Sequence, residues 1–141
     1  MVDSLHHLAL AWLEKARHDL ETARRVIAGD PPITDTVVYH CQQAAEKALK
    51  AILLDRGQQP FKTHDLMVLL AKCADGDPTF MQWIDAAATL TPYATHFRYP
   101  CAEPDPGLEE TLDAIRLSTA LYEFVDAKLL AECGSNQSIP S

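Results

Sequence analysis

The chain has 141 residues, of which 48% are hydrophobic and 23% are charged, a composition that is typical of a single globular domain and excludes a disordered chain. The net charge of −8 is uneven, because residues 1–72 hold nine basic and nine acidic residues whereas residues 73–141 hold three and eleven. The second half is therefore too acidic to bind a long nucleic-acid duplex through its phosphates. The neutral first half leaves room for a small phosphate site.

Cysteine spacing and hydropathy exclude two further classes of protein. Cys41, Cys73, Cys101 and Cys133 form no CxxC pair and are not spaced with histidines as zinc ligands, so we expect free thiols and no metal site. No apolar stretch reaches the length of a membrane span, and the N-terminus lacks the basic region and cleavage site of a signal peptide. We therefore expect a cytoplasmic protein that needs no cofactor.

Hydrophobic periodicity predicts two long helices in the first part of the chain. The first carries apolar residues at every third or fourth position and ends at Gly29: Ala9, Leu13, Ala16, Leu20, Ala23 and Ile27. The second begins with a cap at Thr34 or Asp35 and ends at Gly57. Its apolar positions share one broad face: Val37, Val38, Cys41, Ala44, Ala45, Ala48, Leu49, Ala51, Ile52 and Leu53.

The opposite side of the second helix is polar. It carries Tyr39, Gln43, Glu46 and Lys50, with His40 and Lys47 along one edge. Glu46 and Lys50 form a favourable i,i+4 pair, which suits a solvent-facing surface. A solvent-facing surface does not need a tyrosine, so the other interpretation is that Tyr39, Gln43, Glu46 and Lys50 face a partner helix or a ligand.

A third helix is predicted after a turn that follows Gly57. Thr63 is a natural N-cap, and the apolar positions of this helix point inward: Leu66, Leu69 and Leu70. Lys62 and His64 then lie beside the exposed N–H groups of a helix start, which attract anions. The alternative is an ordinary capped helix with two basic side chains in solvent.

A fourth helix begins at Pro78 and is kinked or restarted at Pro92. Aromatic and basic residues are then concentrated before Pro100: Tyr93, His96, Arg98 and Tyr99. Arginine is a bidentate phosphate donor and tyrosine offers a stacking face, so one interpretation is a phosphate or base pocket. The other is that Arg98 caps the end of a helix while Tyr93 is half-buried.

The last helix is predicted to begin with Asp105 as N-cap and Pro106 at its first position, and to bury Leu108, Leu112, Ile115, Tyr122, Val125 and Leu129. No stretch alternates as a strand would. We therefore predict an all-α fold, an antiparallel up-and-down bundle of four main helices plus a short additional helix. The bundle covers residues 1–133, and residues 134–141, which are small and polar, form a flexible C-terminal tail.

Three stretches together resemble the HEPN family, the higher eukaryote and prokaryote nucleotide-binding domain. They are YHCQQAAEKALKA in the second helix, KTHDL before the third, and residues 93–100, which end in RYP. The resemblance covers roughly residues 10–130 and is to the small stand-alone prokaryotic type. It implies a helical bundle, a homodimer that binds a nucleotide or RNA phosphate, and partnership with a minimal nucleotidyltransferase in a toxin–antitoxin-like pair. On the matching motifs it assigns nucleotide binding to Lys47, His64, Arg98 and Tyr99, to which Lys62 is added by its place beside His64.

Many members of this family are metal-independent ribonucleases that use an arginine, then four to six residues, then a histidine. This sequence departs from that pattern, because seven residues separate Arg56 from His64, and His96 precedes Arg98. Whether the protein is an enzyme is therefore open at this point.

Three hypotheses follow from these observations. The first is a non-catalytic nucleotide-binding module that works with a nucleotidyltransferase. The second is a ribonuclease toxin with a non-standard site, in which His64 or His96 acts as acid and base and Arg98 stabilises the phosphate charge. The third is a helical interaction scaffold in which these residues are structural.

Overall fold

The computed structural model describes residues 2–59, 62–100 and 103–137, and within these ranges its regular secondary structure is entirely helical. The helices are α1 (Val2–Ile27), α2 (Thr34–Asp55), α3 (Leu66–Gly76), α4 (Ile84–Leu90) and α5 (Leu108–Gln137). Two short 3-10 helices, Pro78–Trp83 and Thr91–Ala94, flank α4. The predicted all-α fold class is confirmed, with four longer helices and one short helix.

Helix α2 lies at the centre of the domain and contacts α1, α3, α4 and α5. Every residue of its predicted apolar face is buried, and the alanines on that face let neighbouring helices approach closely. Helices α1 and α2 are antiparallel. His6, near the start of α1, contacts Asp55 at the end of α2 (Nδ1 to Oδ1, 2.9 Å), and Asp19, later in α1, contacts Lys47 near the middle of α2.

The start of α3 differs from the prediction. Asp65 rather than Thr63 is its N-cap, because the Asp65 carboxylate accepts a hydrogen bond from the N–H of Met67 (2.9 Å). The hydroxyl of Thr63 instead accepts one from the N–H of Asp65 (3.0 Å). The two side chains thus form successive turns, and the helix begins at Leu66.

The regions around the two prolines are also less regular than predicted. Residues 78–83 form a 3-10 helix, so α4 begins only at Ile84. After Pro92, residues 95–99 form turns and bends rather than a helix. Arg98 therefore does not cap a helix C-terminus, and its side chain is available for other contacts.

The buried stripe of α5 is displaced from the predicted one. Leu108 and Leu112, which we predicted to be buried, are 55% and 49% exposed. Among residues 108–131 of this helix, for which burial is described, the buried positions are Thr111, Ala114, Ser118, Leu121, Val125 and Leu129. Thr111 and Ser118 tolerate burial because each hydroxyl donates to the carbonyl oxygen four residues earlier (2.7 and 2.8 Å).

Three other predictions concern the ends and the thiols of the chain. Helix α5 includes residues 134–137, which we predicted to be part of the flexible tail, and residues 138–141 lie outside the described ranges. Cys41 and Cys73 are buried free thiols, and burial raises their pKa to about 11 and about 12; Cys101 lies outside the described residues. No helix in the part of the chain described here is long and apolar enough to cross a membrane.

An ion pair joins α5 to the connection between α3 and α4. The carboxylate of Asp77 accepts hydrogen bonds from Lys128 Nζ (2.6 Å) and from the hydroxyl and N–H of Thr79 (2.6 and 3.1 Å). These bonds, that from Lys128 above all, lower the pKa of Asp77 from an ordinary 3.8 to about 2. Because the pKa is lower in the folded state, the stabilisation is present above about pH 4 and is lost as the pH falls towards 2.

We predict that Lys128→Met raises the pKa of Asp77 towards its ordinary value and shifts the acid-induced loss of stability upward in pH. Carboxyl NMR titration measures the pKa, and urea unfolding between about pH 5 and 2 measures the stability. Asp77→Asn, which removes the titrating group, is the control and makes the contribution of this site independent of pH. An unchanged pKa of Asp77 in Lys128→Met contradicts the assignment.

Candidate functional site along helix α2

The described residues between α2 and α3, 57–59 and 62–65, which we call the return segment, include a contact with the polar side of α2. It begins at Gly57, whose φ of +81° is a backbone conformation that favours glycine. At its far end, Nδ1 of His64 lies 2.8 Å from Oε1 of Glu46 in the middle of α2. A histidine that follows α2 in the sequence thereby joins the polar side of that helix.

Glu46 is the centre of a buried hydrogen-bond network. Its side chain is only 7% exposed, and its carboxylate is bonded by Lys50 Nζ (2.9 Å), His64 Nδ1 (2.8 Å) and Gln42 Nε2 (3.2 Å). Gln42 also donates to the backbone carbonyl of His64 (3.0 Å). Burial acts to raise the pKa of Glu46, but the bonds from Lys50, His64 and Gln42 outweigh it and hold this pKa below its usual value.

Asp19 of α1 is a second buried carboxylate against α2. Its Oδ1 lies 2.8 Å from Nδ1 of His40, and its Oδ2 lies 2.6 Å from Nζ of Lys47. Burial acts to raise the pKa of Asp19, but the bonds from His40 and Lys47 outweigh it and lower this pKa. His40 and Lys47 remain about one quarter exposed (26% and 28%), so α1 fixes both side chains without covering them.

Arg98 lies against an earlier turn of α2. Its guanidinium carbon is 3.9 Å from the centroid of the Tyr39 ring, and Tyr39 makes an edge contact with His40 (centroids 5.5 Å apart). A cation–π contact of this kind contributes about 0.5–2 kcal/mol. Tyr39 and Glu46 are separated by two helical turns, so the points at which Arg98 and His64 meet α2 lie on one face, about 10 Å apart along the helix axis.

We call this surface the α2 polar face and define it by Tyr39, His40, Gln43, Lys47, His64 and Arg98. Three of the predicted phosphate-binding residues, Lys47, His64 and Arg98, lie on it. Lys62 and Tyr99 are exposed and adjoin the face through their sequence neighbours. The first motif forms part of α2, and the structure thus brings the other two motifs of the sequence against that helix.

The predicted partner-facing residues divide into two pairs. Tyr39 and Gln43 are half-buried, and the Gln43 amide donates to the side chain of Gln42 (2.8 Å). Glu46 and Lys50 are buried, with 5% and 6% of their surface exposed. The Glu46–Lys50 pair is thus internal, with His64 against Glu46, and the partly exposed members of the predicted partner-facing set are Tyr39 and Gln43.

His96 has different surroundings from the other two candidate catalytic residues, His64 and Arg98. Its Nε2 lies 3.0 Å from Glu103, and it lines a cleft with Tyr93 and Glu110. Tyr93 donates to Glu110 (2.6 Å), and burial raises the pKa of the Tyr93 hydroxyl. Between His96 and Arg98, Phe97 has a φ of +60°, a strained conformation for a bulky residue, which redirects the chain.

Sequence reasoning did not assign roles to Asp19, Gln42 or His40. Asp19 lies three residues after Ala16 and four before Ala23, both in the buried stripe of α1, and this spacing signals a carboxylate at the edge of the core. Gln42 lies four residues after Val38 and three before Ala45, both buried positions of α2. A polar residue at core spacing is a signal for a buried hydrogen-bond network. Among the residues described, no cluster of three or more His, Cys, Asp or Glu side chains is arranged to hold a metal.

The fold and this face together define an all-helical domain with cationic side chains fixed along its central helix. A family model described as HEPN domain matches residues 9–129, and the chain belongs to the HEPN domain family. It is similar to TT1696 from Thermus thermophilus, with 33% identity, a TM-score of 0.72, and coverage of 85% of this chain and 97% of that one.

A second structure shows the same fold. The archaeal HEPN homologue ST0689 superposes with a TM-score of 0.67 at 23% identity, covering 86% of this chain and 97% of that one. No curated protein matches the chain significantly. The predicted family is therefore confirmed, and the comparisons cover nearly the whole domain.

Lys50→Met tests whether the Glu46 network is closed as described. It leaves a buried carboxylate without its ammonium partner, so we predict a loss of about 3–5 kcal/mol in the free energy of unfolding at pH 7. The pKa of Glu46 then rises, and the deficit shrinks as the pH is lowered and the carboxyl is protonated.

Urea unfolding at about pH 7 and pH 5 measures both effects. Lys15→Met, which changes an exposed lysine of α1, is the matched control and should alter stability by less than about 0.5 kcal/mol. If Lys50→Met behaves as Lys15→Met does, Glu46 is not held as a buried ion.

Proposed function

We propose that this protein is a nucleotide- or phosphate-binding HEPN protein whose ligand lies along the α2 polar face. The observation that supports this most is the anchoring of Arg98 and His64 on one face of α2, two helical turns apart. Each side chain is held by a residue of that helix. Two exposed polar side chains fixed in this way, with Arg98 as the donor to phosphate, form a preorganised surface, which lowers the entropic cost of binding.

The chemistry of each group suits a phosphate or a nucleotide. The guanidinium carbon of Arg98 lies over the ring of Tyr39, a contact that uses none of the guanidinium N–H groups in a hydrogen bond to Tyr39, and arginine binds phosphate oxygens in a bidentate manner. Lys47 and His40 are held in place by Asp19 and add positive or protonatable groups at the edge. The span of about 10 Å exceeds one phosphate group, so it suits a nucleotide or a short single-stranded RNA.

The distribution of charge also supports this location. Residues 73–141 contain only three basic residues, and one of them, Arg98, is directed onto the electrically neutral first half of the chain. The acidic surface of α5, with Glu109, Glu110 and Asp113, repels phosphate. Electrostatics therefore favours the α2 polar face over the acidic surface of α5.

We further propose a homodimer that works in the cytoplasm with a minimal nucleotidyltransferase, as in a toxin–antitoxin pair. This extension rests on the family resemblance and on exposed apolar side chains available for association. Leu8 of α1 is 45% exposed, and Leu108 and Leu112 of α5 are 55% and 49% exposed.

A second candidate function is metal-independent RNA cleavage at the same face. The favouring observation is an exposed histidine anchored by a carboxylate, His64 on Glu46, on the same side of α2 as Arg98. In this reaction His64 takes the proton of a ribose 2′-OH, the oxygen attacks the adjacent phosphorus, and the bond from phosphorus to the 5′-oxygen breaks as that oxygen takes a proton from solvent water. Arg98 stabilises the charge on the phosphoryl oxygens.

Calorimetric titration with ATP and with a short RNA tests the proposal. We predict that His64→Ala and Arg98→Ala each weaken binding by about tenfold or more, since Arg98→Ala removes a charged hydrogen bond worth about 1.5–3 kcal/mol and His64→Ala leaves a polar group of the ligand without its partner. Matched controls are His18→Ala and Arg116→Ala, which change an exposed histidine of α1 and an exposed arginine of α5.

Unchanged affinity in the double variant His64→Ala/Arg98→Ala would falsify the binding proposal. The same RNA samples, analysed for fragments after incubation, separate the two candidate functions. Cleavage that is lost in His64→Ala and kept in His18→Ala establishes the ribonuclease, and binding without cleavage establishes the non-catalytic module.

A further inference from the structure

The hydrogen bond between His64 and Glu46 decides which ring nitrogen of His64 carries a proton. The lowered pKa of Glu46 keeps it ionised at neutral pH, and an ionised carboxylate only accepts hydrogen bonds. Nδ1 of His64, 2.8 Å from Oε1, must therefore be the donor. In the neutral imidazole, Nε2 then has no proton and carries a free lone pair.

The surroundings of Glu46 fix this arrangement on several sides. Lys50 and Gln42 also donate to the carboxylate, and Gln42 donates a second hydrogen bond to the backbone carbonyl of His64. Both the ring and the main chain of His64 are thus tied to α2. Its side chain is nevertheless 63% exposed, and Nε2 is the ring nitrogen that is not engaged with Glu46.

We infer that Glu46 is a positioning residue that holds His64 in the Nδ1–H tautomer, so that Nε2 accepts a hydrogen bond from a ribose hydroxyl of the ligand. A fully ionised phosphate oxygen has no proton to donate to this lone pair, whereas a hydroxyl does. His64 then recognises the sugar, and Arg98 and Lys47 recognise phosphate. This deepens the proposed function, on which it rests, and names ribonucleotides as the preferred ligand class.

The first test reads the tautomer in the ligand-free protein. Long-range ¹H–¹⁵N correlation spectra at about pH 8, where an ordinary imidazole is neutral, should show a protonated Nδ1 and a bare Nε2 for His64. Glu46→Met/Lys50→Met removes both buried charges together, keeps the volume similar and leaves no acceptor for Nδ1–H at position 46, so in this variant the preference for this tautomer should be lost. A predominant Nε2–H tautomer in the unmodified protein overturns the inference whether or not a nucleotide binds.

The second test compares ATP with 2′-deoxy-ATP and 3′-deoxy-ATP by calorimetry at the same pH. One of the deoxy analogues should bind about tenfold more weakly than ATP, as expected when a polar group in the site loses its partner. This preference should disappear in His64→Ala and in the variant changed at both Glu46 and Lys50. It should persist in His18→Ala. Equal affinity for all three nucleotides overturns the ribose assignment, and base amino groups then become the donors to Nε2.

The two experiments fail independently. Absence of ATP binding contradicts both the proposed function and the recognition of ribose. The NMR spectra still determine the tautomer of His64 in that case. ATP binding without discrimination leaves the proposed function intact and overturns the inference alone.

Discussion

The buried carboxylate of Glu46 is the constraint on which the arrangement of this domain depends. An ionised group in the interior is stable only when it is paired and hydrogen-bonded, and α2 alone supplies Lys50 and Gln42. The third bond comes from His64, which belongs to another segment. The path of the return segment is therefore tied to the middle of α2, and with it the position from which α3 begins.

The same principle operates on the α1 side of the central helix. Asp19 projects from the edge of the buried stripe of α1 and pairs with both His40 and Lys47. The turn that follows α4 contributes Arg98 through its contact with Tyr39. Three segments that are distant in sequence thus meet one face of α2, while the opposite, alanine-rich face supports the hydrophobic core. One helix both organises the fold and presents the candidate site.

Periodicity predicted the features that depend on one helix at a time. The buried face of α2 followed from the spacing of Val37, Cys41, Ala45 and Leu49, because a core helix repeats at 3.6 residues. The prediction for α5 was wrong at Leu108 and Leu112, because Thr111 and Ser118 bury polar side chains that satisfy themselves on the helix backbone. A prediction based on hydropathy places polar residues such as Thr and Ser on the exposed side of a helix.

Hydrophobic periodicity could not predict the contacts between segments that are distant in sequence. The motifs indicated Lys47, His64 and Arg98 as residues of interest, yet the pairing of His64 with Glu46 depends on the return segment, whose sequence has no helical or strand pattern. The surroundings of His96 depend likewise on the backbone at Phe97, where a positive φ in a bulky residue has no sequence signal. These are tertiary features, and the motif order alone does not contain them.

The most direct test of the α2 polar face as a single site is an NMR titration with ATP that follows the side-chain signals of His64, Tyr39 and Arg98 together. A ligand that lies along the face shifts all three, and the three curves give one dissociation constant. Shifts confined to one end, or centred instead on the acidic cleft of Glu103 and Glu110, contradict the account, since they place the ligand away from the groups that α2 holds in position.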